Sequence, residues 1–254
     1  MKKIGLIGYP IAHSGSPKLF YDTFAQNSSV LEQYSYDLID TDDFSLAAET
    51  FYNEYVAVNV TTPYKEDALA LADEYSYPVE RIMATNLLIK DDEGVVTAYN
   101  TDYLALKQLI PQGKRVVVTG CGGAAKAAVA AALENDCKVF IYNRTQSRVS
   151  QFLFNLKFNN PRGVRGDVEV LSLEQLPEGI AGADVVVYAI SSPVELFDKS
   201  LLGGKIVIEA NYKEPLFSEQ ALQELSAKYI GGQTWLELQA MHTYRLIGLL
   251  ENQQ

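Results

Sequence analysis

The sequence predicts an α/β protein built from two domains, and three observations carry that prediction. Short runs rich in Val, Ile, Leu and Tyr alternate with helical patterns along almost the whole chain, the order expected of mostly parallel sheets covered by helices. At residues 115–134 a strand, a glycine-rich turn and an alanine-rich helix follow one another, the opening of a doubly wound unit. The 254 residues exceed the length of about 150 typical of one domain, and the texture changes at Pro111-Gln112-Gly113.

Each element follows in order. Residues 3–8 read as a buried strand, and 17–26 as a helix with Ser16 as N-cap and Pro17 at its first position. Residues 34–39 are a second strand and 44–52 a helix; 55–60 are a third strand that runs into Thr61-Thr62-Pro63-Tyr64-Lys65. Residues 66–74 read as a helix, 86–90 and 95–99 as a hairpin around Asp91-Asp92-Glu93-Gly94, and 101–109 as a helix leaving this unit. In the second part, residues 115–119 form a strand, 120–123 a tight turn, 124–134 a helix and 138–142 the next strand. Residues 184–190 and 205–209 supply two more strands with helices between, and 236–250 a final helix. The boundary is placed within 103–113, with a second crossing near Gly231-Gly232. One domain then comprises residues 1–103 joined by 233–254, and the other comprises 104–232.

Composition excludes several classes. Hydrophobic residues at 48% and charged residues at 21% fit a globular chain rather than a disordered one. The balance of 21 basic against 32 acidic residues, −11 in sum, argues against a nucleic-acid-binding surface, and the 16 tyrosines are too dispersed to form a stacking platform. Two cysteines (Cys121, Cys137) cannot build a disulfide framework, and two histidines (His13, His242) leave little for zinc, so no metal is expected. No apolar run is long enough to span a membrane, and the apolar run before Tyr9-Pro10 is too short for a signal peptide. A cytoplasmic protein is expected, as a monomer or homodimer, with a small-molecule substrate and neither nucleic acid nor membrane as partner.

The glycine turn points to a dinucleotide. Gly120, Gly122 and Gly123 let the backbone approach a pyrophosphate, while the helix beginning at Ala124 aims its N-terminal N–H groups at it; Ala125 stands where G-x-G-x-x-G/A has its last small residue. The following strand ends in Asn143-Arg144-Thr145, where an NAD site would carry a carboxylate for the ribose hydroxyl. A guanidinium and a hydroxyl suit a 2′-phosphate instead, so NADP is expected. Three polar clusters fall at strand ends or loops of the first part: Ser14-Gly15-Ser16-Pro17, Asn59 to Lys65, and Asn100-Thr101-Asp102. Taken singly, Ser16 and Asp102 fit helix caps equally well, and Lys65 fits a solvated lysine; together the clusters suggest a pocket.

These segments, in this order, resemble the shikimate dehydrogenase family. The resemblance rests on residues 8–17, Asn59-Val60-Thr61-Thr62-Pro63-Tyr64-Lys65, Asn100-Thr101-Asp102, Gly120-Cys121-Gly122-Gly123-Ala124 and Asn143-Arg144-Thr145, and extends to Gln239. It implies an NADP-dependent oxidoreductase interconverting 3-dehydroshikimate and shikimate, with a substrate domain and a Rossmann-type domain facing across a cleft and the final helix returning to the substrate domain. It further implies that Ser14 and Ser16 bind the substrate carboxylate, and that Thr61, Asn86, Asp102 and Gln239 hold ring hydroxyls. Tyr212 is then a candidate to close the pocket, and Lys65 and Asp102 are the catalytic pair. A quinate/shikimate dehydrogenase of mixed specificity, and a non-catalytic NADP- or metabolite-binding regulator on the same fold, are the alternatives.

The chain also departs from that pattern. Met83 and Leu87 stand where the family usually has Gly and Thr, Tyr99 precedes Asn100 where a glycine is usual, and Ile190 to Pro193 replaces a loop near the nicotinamide. Trp235 occupies a place usually held by methionine, and reads as a core or domain-interface aromatic. His13 is a candidate to orient Ser14, and Cys121 reads as a small residue filling the glycine turn.

Overall fold

The structure, a computed structural model, describes residues 1–158, 168–190 and 194–251. The chain divides into two units, Met1–Thr101 with Glu237–Gln254, and Asp102–Leu236. Both divisions fall inside helices, so the Pro111-Gln112-Gly113 turn lies within the second unit.

The first unit contains β1 (Lys2–Gly8), α1 (Ser16–Thr23), α2 (Ser28–Gln33), β2 (Tyr34–Asp40), α3 (Phe44–Glu54), β3 (Tyr55–Val60), β4 (Glu74–Tyr75), α4 (Tyr77–Ile82), β5 (Leu87–Lys90) and β6 (Val96–Tyr99). Its sheet runs β2-β1-β3-β5-β6-β4. The strands β2, β1 and β3 are parallel, whereas β5 is antiparallel to both β3 and β6, as the hairpin at Asp91 to Gly94 requires. Both faces are covered, which is why β1 reads as a continuous apolar run rather than an alternating one. Ile4 and Leu6 pack with Phe20, Phe24, Tyr36 and Tyr244, while Ile7 packs with Phe51, Val58, Val60 and Leu88. Gly8 ends β1 where a Cβ would lie 2.5 Å from Thr61 Cγ2 and 2.8 Å from Ile11 Cγ2, so only glycine lets the two loops converge.

The helix expected at 66–74 is not continuous. A 3₁₀ turn covers Asp67–Leu71, and the chain then extends as β4 beside β6. Asp73 accounts for the change: its N–H donates to Val96 O at 2.8 Å and its carboxylate accepts from Val96 N at 2.9 Å, so the backbone is taken by sheet bonds instead of helical ones.

The second unit begins with α5 (Thr101–Leu109), whose first residue still belongs to the first unit. It continues through β7 (Arg115–Thr119), α6 (Gly123–Glu134), β8 (Lys138–Tyr142), α7 (Gln146–Phe158), β9 (Val168–Leu171), α8 (Leu176–Ala181), β10 (Val185–Tyr188), β11 (Ile206–Glu209), α9 (Glu219–Glu224), β12 (Lys228–Ile230) and the start of α10 (Gly232–Leu246). All six strands are parallel in the order β12-β11-β10-β7-β8-β9. Counted from β7, that is the doubly wound order 3-2-1-4-5-6, with its switch point between β7 and β10. Ala125 to Leu133 of α6 are buried throughout, and the small side chains of the six alanines in that run let the helix lie close to the sheet.

Candidate active site

In the first unit, Ser14 and Ser16 stand at the start of α1. Ser16 is the first helical residue rather than the cap: Gly15 holds the cap position without a side-chain bond, and Ser14 Oγ accepts from Ser16 N at 3.3 Å. The two hydroxyls lie 3.2 Å apart, Ser14 donating to Ser16. His13 is exposed, and the partner that orients Ser14 is Ser16. Two adjacent hydroxyls at a helix N-terminus form a donor pair suited to a carboxylate. Behind Ser16 lies Tyr36, whose hydroxyl is raised well above its ordinary pKa by burial and by Tyr244, against which its hydrogen bond with Ser16 lowers it. Tyr36 donates to Asn59 Oδ1 at 2.9 Å, and Asn59 Nδ2 donates in turn to Asn86 O at 3.2 Å and Thr243 Oγ1 at 3.1 Å.

Asn86 is the centre of a buried cluster. Thr101 N, which can only donate, is 2.6 Å from Asn86 Oδ1 and so fixes which way the amide faces. Its Nδ2 is then a donor to Thr101 Oγ1 and to Gln239 Oε1, each at 2.9 Å. Gln239, brought in on α10, uses its oxygen here, which leaves its NH2 group for an acceptor outside the cluster. Thr61 follows β3 and is held by its N–H to Ile7 O at 2.8 Å; Lys65, one turn later, accepts Thr85 N at 2.8 Å through its backbone oxygen and is half-buried. Met83 adopts φ 52 and ψ 44 as the left-handed cap of α4, the conformation a glycine takes most easily.

The second unit supplies the glycine turn. Gly120 follows β7 with φ +108, and a Cβ there would lie 2.9 Å from Ala189 O, so the strand ends at the switch point approach each other backbone to backbone. Gly122 caps α6 with no side chain to occupy the helix N-terminus, and a Cβ at Gly122 would meet nothing within 4 Å. That open cradle, followed by the N–H groups of Gly123 and Ala124, fits a pyrophosphate. Beyond β8, Asn143 Nδ2 donates to Thr145 O at 2.9 Å, shaping the turn that presents exposed Arg144 and Thr145. Cys121 is buried in the glycine turn. Ser191, Ser192 and Pro193 lie outside the described residues; Ile190, just before them, receives a 2.9 Å hydrogen bond from Asn211 Nδ2 at its carbonyl.

Asp102 is the second residue of α5, not its cap, and is 5% exposed. Its Oδ1 accepts the indole N–H of Trp235 at 3.1 Å. Tyr212 is exposed on the segment after β11, next to Asn211, whose backbone packs against Gly232 so closely that a Cβ there would sit 2.5 Å from Asn211 C. Sequence reasoning did not single out Tyr36 or Thr243, nor the Trp235–Asp102 bond; Thr101 was legible only as a neighbour of Asp102.

With the geometry in view, comparison with known proteins decides the family. Residues 6–88 match the family described as "Shikimate dehydrogenase substrate binding domain", and residues 103–217 match "Shikimate / quinate 5-dehydrogenase". A curated relative from Shewanella woodyi, named shikimate dehydrogenase (NADP(+)), is 31% identical over 96% of this chain and 91% of its own. The chain belongs to the shikimate dehydrogenase family. Among solved members, the Thermus thermophilus shikimate 5-dehydrogenase in complex with NADP(H) and shikimate superposes with a TM-score of 0.78 at 26% identity, covering 98% of this chain and 94% of that one. The quinate dehydrogenase of Corynebacterium glutamicum in complex with NAD superposes at 0.83 with 25% identity, covering 98% and 94%. The family is one of oxidoreductases acting on a CH–OH group, and no helix among the described residues is long and apolar enough to cross a membrane.

Proposed function

We propose that this chain catalyses the reversible NADPH-dependent reduction of 3-dehydroshikimate to shikimate, with residues 1–103 and 233–254 binding the substrate and residues 104–232 binding the cofactor. The observation that carries the reading is the Asn86–Thr101–Gln239 cluster beside a paired-serine helix start. A ring that bears a carboxylate and several hydroxyls needs both a donor pair for the anion and amides that give and accept hydrogen bonds. In this reading Ser14 and Ser16 bind the carboxylate, and Thr61, Asn86, Asp102 and Gln239 bind the hydroxyls, with Tyr212 flanking the ring.

When bound, NADPH would supply the hydride that reduces the ring ketone. As negative charge develops on the carbonyl oxygen, the Lys65 ammonium gives it a proton, and in the reverse direction neutral Lys65 takes the proton from the hydroxyl. Asp102 is the partner of Lys65 in this chemistry, its carboxylate accepting a hydrogen bond from a ring hydroxyl other than the one that exchanges its proton with Lys65. Gly120, Gly122, Gly123 and Ala124 hold the pyrophosphate on backbone N–H groups, and Asn143, Arg144 and Thr145 take the 2′-phosphate, which a carboxylate at that strand end would repel. The match to a relative named for NADP(+) supports the same choice of cofactor. Cytoplasmic residence and a monomeric or homodimeric state belong to the same proposal.

The test follows nicotinamide absorbance with purified protein in four arms, pairing shikimate or quinate with NADP or NAD. Turnover confined to shikimate with NADP is the expected result. Faster turnover with quinate and NAD would assign the chain to quinate oxidation, and NADP binding without turnover in any arm would make it a binding protein.

A further inference from the structure

We infer that Trp235 is a positioning residue for the reaction, its indole N–H holding the carboxylate of Asp102 in the orientation that meets the substrate hydroxyl; this rests on the role assigned to Asp102 above. The two side chains are 133 positions apart in sequence, joined by a 3.1 Å hydrogen bond, and 4% and 5% exposed. A carboxylate so far removed from water depends on fixed donors for its orientation. An indole is a donor only and carries no charge, so it fixes one oxygen without neutralising the group. A lysine or arginine in the same place would compete for that charge. A methionine there would offer no donor.

The indole is itself held in place. Trp235 lies in the first turn of α10, its backbone N–H donating to Gly231 O at 3.3 Å, and that turn is seated against the backbone of Ala210 and Asn211 at a contact only Gly232 permits. Asp102 is the first residue of the second unit and Trp235 its next-to-last, so the bond ties that unit's entry to its exit. A positional error in the first turn of α10 is thereby transmitted to the Asp102 carboxylate.

Trp235 is also the chain's single tryptophan, which makes it a selective reporter. The experiment compares the parent with Trp235→Phe, which keeps an aromatic ring and removes the donor, Trp235→Met, Asp102→Asn and the Trp235→Phe/Asp102→Asn double variant. Readouts are kcat and KM for shikimate and for NADP, and thermal midpoint. Trp235→Phe is expected to lower kcat/KM for shikimate roughly tenfold, the scale of one hydrogen bond to a charged group, with KM for NADP unchanged. In the Asp102→Asn background the same change should cost less than about twofold, because the group it positions is already gone. A purely structural tryptophan would instead lower the thermal midpoint and move both KM values, with losses that multiply in the double variant; that result, or parent-like kinetics of Trp235→Phe, overturns the inference. An inactive Asp102→Asn beside a parent-like Trp235→Phe sinks this inference alone, whereas a fully active Asp102→Asn sinks the assignment of Asp102 itself. Should the Trp235 variants fail to fold, the parent decides: shikimate added without cofactor should change the Trp235 emission and saturate with binding, and unchanged emission at saturating shikimate overturns the proposal.

Discussion

In the proposed assignment, the first unit presents side chains to the substrate, and the second presents backbone to the cofactor. The side-chain oxygen and amide nitrogen of Asn86 both have named partners, and the identity of each residue matters, because an amide that faces Thr101 N one way has its other bonds decided. Around Gly120 and Gly122 the useful groups are N–H donors at the start of α6, and the side chains matter by being absent. A surface built from side chains tolerates little conservative exchange; a surface built from backbone tolerates any exchange that adds no atom. Selectivity for one substrate is suited to the first kind of construction, and grip on a phosphate that many cofactors share is suited to the second.

Substitutions on each side sharpen that contrast. The largest effect is expected for Lys65→Ala, which should lower kcat by about 10²–10⁴ with little change in KM, since proton transfer is felt in the transition state; a steady-state assay with shikimate and NADP checks it, and an unchanged kcat removes Lys65 from the mechanism. Next is Asn86→Ala, which strands the Thr101 amide and its other partners in a buried site. It should cost roughly 1–3 kcal/mol of unfolding free energy in a denaturant titration as well as weakening substrate binding. Gly122→Ala should behave in the opposite manner. Its backbone is extended and a Cβ there meets no protein atom within 4 Å, so thermal stability should hold while KM for NADP rises about tenfold, about 1.4 kcal/mol. Arg144→Ala should share that rise for NADP and leave NAD use unchanged. If Gly122→Ala instead destabilised the fold and left KM alone, the cradle would be structural and the contrast between the units would collapse.

The smallest effect concerns His242, whose pKa is lowered by burial and then by Arg245. The folded state therefore favours the neutral ring, and the unfolded state binds the proton first as pH falls below about 6.5. Stability from this source is complete above that pH and is lost as pH falls through the lower folded value. His242→Gln should accordingly lose less stability than the parent between pH 7 and pH 5, measured by urea unfolding at each pH; parallel curves would show that His242 contributes no such slope.

Much of this arrangement was legible along the chain because its signals are local. The strand, glycine turn and helix at 115–134 need only adjacent residues to announce themselves, and the segment after β3 places Thr61 and Lys65 one turn apart by spacing alone. The expectation of a helix at 66–74 failed because Asp73 is claimed by Val96, a partner 23 residues away that no periodicity in the segment records. Ser16 was read equally as a cap, and the structure makes it a helical residue whose hydroxyl is turned to Ser14 and Tyr36.

The sequence by itself therefore determined the order of elements, the backbone cradle of the second unit and the chemical types gathered in the first. Those properties arise from short-range sterics, from what glycine permits and proline forbids, and from the alternation of apolar runs. Only the tertiary structure decided which polar groups meet: Asn59 with Thr243 across 184 positions, Asn86 with Gln239 across 153, and Asp102 with Trp235 across 133. A hydrogen bond between residues so distant in the chain leaves no local pattern. It exists because packing brings both groups out of water together, where each must find a partner.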